Sequence, residues 1–97
     1  MNRSVNLQHE YLYHLKTLGK SVKNAKLSLR LLSEYLVRAD VDLCHVKIRH
    51  AQDFQTYLGT MTGEDGVIRY SRGSVQNFMG CVSSFYDYLK KMKLIHS

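Results

Sequence analysis

The residues best equipped for acid–base or metal chemistry are too scattered to act together. The five histidines, His9, His14, His45, His50 and His96, follow no zinc-ligand spacing. His45 and His50 would meet only if the fold happened to join them. The eight acids form no pair at catalytic spacing. Ser83 and Ser84 have no base at motif distance. The stretch Gly63-Glu64-Asp65-Gly66 is acidic and lacks the lysine that a phosphate-cradling loop requires. Cys44 and Cys81 match no metal or redox pattern. One disulfide between them is compatible with the count, and reduced, partly buried thiols fit a cytosolic chain better. The expectation is a chain with no catalytic residues, no metal and no cofactor.

The cations carry more signal. Lys and Arg number 14 against 8 acids, a formal net charge of +6. Such a surface favours nucleic acid, an acidic membrane surface or an acidic protein. Lys23, Lys26 and Arg30 recur at helical spacing, with Lys20 and Ser21 just before them. The plain reading is a solvated helix face. The functional one is a phosphate-contacting face, because the orphan amides of a helix start attract anions. Asn24 adds a hydrogen bond to a base edge or a phosphate. A second group, Arg69, Ser71, Arg72, Ser74, Gln76 and Asn77, surrounds another expected helix start. Arg, Gln and Asn read base edges, whereas Ser and free amides suit phosphates. Of the two amides, Gln76 lies one turn beyond Arg72 and is the better base reader. Lys90, Lys91 and Lys93 suit a helix C-terminus or a nucleic-acid backbone. The seven Tyr and three Phe show no spacing of a single-strand stacking groove, and Phe54, Phe78 and Phe85 read as core.

These groups must be positioned by helices. The chain has 97 residues, no Pro and 6 Gly, which suits one helical domain over residues 1–97. A first helix over 5–18 places Val5, Leu7, Tyr11, Leu12, Leu15 and Leu18 inward and stops at Gly19. Ser21 is the expected N-cap of a second helix over 22–38. Its broad apolar face runs through Val22, Ala25, Leu29, Leu32 and Leu36, widened by Leu27, Leu31 and Tyr35. Residues 39–47 read as a connection anchored by Leu43 and Val46. A third helix covers about 49–61, with no favoured cap at Lys47 or Ile48. Residues 62–70 read as an exposed loop, or a short hairpin through Val67–Tyr70 without an obvious partner strand. Ser71 caps a fourth helix over 72–92, whose inward stripe runs from Val75 to Met92. Gly73 and Gly80 in that helix suggest the close approach of another helix or a ligand. No apolar run is long enough to span a membrane and no signal peptide is evident, so a soluble cytoplasmic chain is expected.

From about Leu7 to Ile95, the chain resembles the N-terminal core-binding domain of tyrosine recombinases and phage integrases. The resemblance rests on the segment Tyr11–Ser21 with its glycine and Ser-started second helix, and on Leu31-Leu32-Ser33-Glu34-Tyr35-Leu36. It continues in Phe54-Gln55-Thr56-Tyr57-Leu58, Ser71–Asn77, Val82–Leu89 and Lys93-Leu94-Ile95. It implies a SAM-like four-helix orthogonal bundle that binds double-stranded DNA as half of a clamp. Recombination or integration chemistry would then belong to a separate catalytic domain. The second and fourth helices would face the major groove, through Lys20, Ser21, Lys23, Asn24, Lys26 and Arg30, and through Arg69, Ser71, Arg72, Ser74, Gln76 and Asn77. Implied partners are DNA, other recombinase protomers and accessory DNA-bending proteins, with no membrane. None of the seven tyrosines inherits the nucleophile's role. The alternative is a helical interaction module whose basic face meets an acidic protein.

Overall fold

The computed structural model describes residues 3–93. The chain runs through α1 (Arg3–Thr17), α2 (Lys23–Ala39), a 3-10 turn (Leu43–His45), α3 (Ile48–Thr60) and α4 (Arg72–Lys91). Among the described residues these four α-helices form an orthogonal all-α bundle with no sheet. None of them is long and apolar enough to cross a membrane. The side chain of Val5, and Leu94, Ile95 and His96, lie outside the described residues.

α2 and α4 make the central crossing, and α1 and α3 each pack against both. The sequence explains why α2 is central. It buries Ala25, Ser28, Leu29, Leu31, Leu32, Tyr35 and Leu36, an arc too wide for one neighbour to cover. The innermost side chains are Leu29 and Leu32 of α2, Phe54 and Leu58 of α3, and Phe85 and Leu89 of α4. Aromatic edges lock the layers: Tyr11 of α1 meets Phe85 at 5.3 Å, and Tyr35 meets Phe54 at 5.4 Å.

The turns follow local chemistry. After α1, Gly19 sits at φ +74°, where a side chain would be strained. The Lys20 amide donates to the Leu15 carbonyl at 3.0 Å and Gly19 to Lys16 at 3.0 Å, satisfying carbonyls at the helix end. α2 ends the same way with Asp40 in the left-handed region at φ 55°, a conformation that Asp tolerates better than most side chains. In the 3-10 turn, Asp42 accepts the Cys44 amide at 3.2 Å while Leu43 plugs the core.

Several expectations need correcting. The N-cap of α2 is Val22, not Ser21. Leu18 and Met92 are exposed rather than inward, because α1 stops at Thr17 and α4 at Lys91. Residues 61–69 do form a small hairpin, and its missing partner is the segment 61–63 that follows α3. Arg69 donates to the Met61 carbonyl at 2.7 Å, Gly63 donates to Val67 at 3.0 Å, and Thr62 bridges Ile68. Nothing crowds the α4 glycines: a Cβ at Gly80 would meet no described atom within 4 Å, and one at Gly73 only the Ser71 hydroxyl at 4.0 Å. Ser28 is wholly buried, which its type did not suggest; its hydroxyl is satisfied by the Asn24 carbonyl at 2.7 Å.

One polar tie spans the α2–α3 contact. The buried Tyr35 hydroxyl donates to the Asp53 carboxylate at 2.6 Å. Burial first, then that bond and the Asp53 charge, push the phenol up from 10.0 to about 12. The folded state therefore holds this proton more tightly than the unfolded chain. The contribution is complete below about pH 10 and is lost as pH rises through about 12. Tyr35→Phe should destabilise the domain by about 1 kcal/mol at neutral pH. That deficit should shrink as pH rises from about 10 to about 12, measured by urea unfolding of both proteins. An equal deficit at every pH would show that the phenol's proton is not held by the fold.

Candidate nucleic-acid interface

The start of α2 is uncapped and surrounded by cations. The chain leaves the Gly19 turn through Lys20, Ser21 and Val22, all before the helix. Val22 caps it at φ −102°, ψ −3° and has no polar side chain to accept an amide. The first helical bond runs from Lys26 to the Val22 carbonyl at 2.8 Å. The amides of Lys23, Asn24 and Ala25 therefore precede the helix's own bonding pattern, and no side chain caps them. Lys20, Ser21, Lys23, Asn24 and Lys26 are all exposed around this end. Arg30 continues the face one turn on. It pairs with Glu34 at 3.5 Å, but both side chains are largely solvated and the pair is weak. Arg30 therefore loses little by exchanging Glu34 for a phosphate.

The start of α4 is different. Ser71 accepts the Ser74 amide at 3.2 Å, and its hydroxyl also bonds that of Ser74 at 3.1 Å. These two serines are thus engaged in capping, and Ser74 is half-buried. Arg69 lies over the Tyr70 ring at 5.6 Å, and Tyr70 stands edge-on to Phe78 at 5.0 Å. A core aromatic thus orients an exposed cation. Beside the cap runs a groove of about 370 Å³ between α3, the hairpin and α4. Ser71, Arg72 and Gln76 line it above Ile68 and Val75, together with Gln55 from α3. Asn77 is exposed but does not line the groove. Of the two adjacent amides, Gln76 is the one in the groove lining.

Gln55 was missed because α3 was read for its core positions alone. The available signal was a polar residue one helical turn before Gly59, where the small residue leaves room beside it. No α2 residue lines the α4 groove. Three of the histidines make local structural contacts. His14 stacks on Tyr88 at 4.8 Å, His45 Nδ1 lies 3.2 Å from Asp42, and His50 Nδ1 accepts the Lys47 amide at 2.9 Å. The last bond supplies the α3 cap that neither Lys47 nor Ile48 promised. Cys44 and Cys81 are free and half-buried.

No family model, curated protein or solved structure matches the chain. DNA binding, recombination, integration, tyrosine recombinase and integrase therefore gain no support as a classification of it. Its all-α fold stands.

The two helix starts differ in a measurable way. Ser71→Ala removes a side-chain cap and should cost about 1 kcal/mol of stability. Ser21→Ala, at a position that caps nothing, should change stability by less than about 0.5 kcal/mol. Thermal and urea unfolding of both variants checks this; equal losses would mean that Ser21 caps α2 after all.

Proposed function

We propose that the domain grips the phosphate backbone of duplex DNA through the start of α2, with the α4 groove as a second contact. The carrying observation is the uncapped α2 amides set among exposed Lys20, Lys23 and Lys26. Amide dipoles and cations there favour the same kind of ligand, an anionic oxygen. A duplex presents such oxygens in a regular row, and the spacing of Lys23, Lys26 and Arg30 along one face suits a row better than a point. Gln76, Arg72 and Gln55 offer the donors and acceptors needed at base edges.

The resemblance to core-binding domains supports the same reading and adds detail to it. In that finer form, the bundle is a SAM-like core-binding domain. It forms half of a clamp that places a separate catalytic domain on the duplex beside neighbouring protomers. Tyr11, Tyr35 and Tyr86 then have structural roles, in keeping with their packing and, for Tyr86, its bond to the Leu43 carbonyl.

Fluorescence anisotropy on a labelled duplex across a salt series tests the proposal. Affinity should fall steeply with salt as counterions are displaced. Lys23→Ala and Lys26→Ala should weaken binding alike on every sequence and lower the salt slope by about 1 each. Gln76→Ala should instead cost about 1–3 kcal/mol on a selected site and little on random duplex. Folded lysine variants with unchanged affinity and slope would remove the α2 face from the proposal. No binding at low salt, beside tight binding to an acidic protein, would replace DNA by a protein partner.

A further inference from the structure

A second concavity lies away from both basic helix starts. It is a cleft of about 360 Å³, walled by α2, the connection through the 3-10 turn, α3 and α4. Its size falls at the small end of ligand pockets, roughly 300–1,000 Å³. Its floor is apolar, with Leu36, Phe54 and Val82 buried beneath it and Met79 half-buried in its wall.

The polar groups in its lining have one dominant sign. Lys47 and Lys90 both line it, and Asp87 is the acid among the lining residues. His50 adds a neutral donor. Its Nδ1 accepts the Lys47 amide at 2.9 Å, so the neutral ring carries its proton on Nε2. Tyr86 contributes its ring, while its hydroxyl is already spent on the Leu43 carbonyl at 2.8 Å. Ile48 stands 80% exposed at the edge and extends the apolar surface outward.

We propose that this cleft binds a free, apolar monocarboxylate of about the size of a medium-chain fatty acid. The chain would lie on Leu36, Phe54 and Val82. The carboxylate would meet Lys47, Lys90 and the His50 Nε2–H at the rim. An apolar body suits the floor, and a single anionic head suits two lysines and one donor against one acid. The proposal does not rest on DNA binding, since none of the α2 cations lines the cleft.

The test is a titration of the whole chain with decanoate below its micelle concentration, followed by NMR of the His50 ring and the Met79 methyl. Decanol and decyltrimethylammonium serve as uncharged and cationic comparisons. Decanoate should saturate one site, decanol should bind about tenfold more weakly, and the ammonium should not saturate. The double variant Lys47→Gln/Lys90→Gln should bring decanoate down to the affinity of decanol. Ala51→Phe should fill the cleft and abolish binding. If that variant fails to fold, Ser83→Trp, at an exposed wall position, should block the cleft instead. Equal binding of decanol and decanoate, or full affinity in a folded cleft-blocking variant, would overturn the proposal. So would shifts confined to the exposed Val67–Ile68 hairpin tip.

Discussion

The whole arrangement depends on the width of the buried face of α2. Three other helices are needed to cover Ala25, Ser28, Leu29, Leu31, Leu32, Tyr35 and Leu36, and all three pack against it. Wide burial leaves a narrow arc for charge, which Lys23, Lys26, Arg30 and Glu34 occupy. The basic stripe and the core are therefore one constraint seen from two sides. A cation moved off that arc would have to be desolvated among leucines, at a cost of several kcal/mol.

Polar ties complement this packing. Gln8 of α1 donates to Ser33 of α2 at 2.7 Å, Tyr35 reaches Asp53 of α3, and Tyr86 of α4 reaches the Leu43 carbonyl. Each joins elements distant in sequence, and no buried side-chain polar atom among the described residues lacks a partner. Apolar burial supplies most of the stability, being nondirectional. The directional bonds favour one register over others, since an unpaired phenol or hydroxyl in the core costs about 1–3 kcal/mol. The phenols of Tyr11, Tyr35 and Tyr86 all titrate above their ordinary value, with burial as the leading cause.

The three helix starts differ in how their first amides are satisfied. α3 and α4 spend side chains on their own first turns, through His50 and Ser71. α2 does not, because Val22 occupies the capping position. An uncapped start is locally costly, and a bound anion would recover part of that cost. The α4 start, being capped, presents side chains rather than amides. In the proposed reading, the α2 start would meet a backbone and the α4 start base edges.

Periodicity alone determined much of this protein. The existence and type of all four helices, the Gly19 stop, the Ser71 cap and most of the core were legible, because apolar spacing and cap chemistry are local. The exposure of Lys23, Lys26 and Arg30 followed from the same spacing. Tertiary structure decided what local rules leave open. Val22 displaced Ser21 as cap because the α1–α2 turn sets where α2 begins. Ser28 became core because the helices flanking α2 cover it. Residues 61–69 closed into a hairpin because the segment just after α3 supplied the partner, and Gln55 joined Arg72 and Gln76 because α3 and α4 pack side by side. The cleft of Lys47, His50 and Lys90 had no sequence signature, since its walls come from segments more than forty residues apart, as from Lys47 to Lys90. Only long-range packing brings such groups together, and a pattern read over one or two helical turns does not contain it.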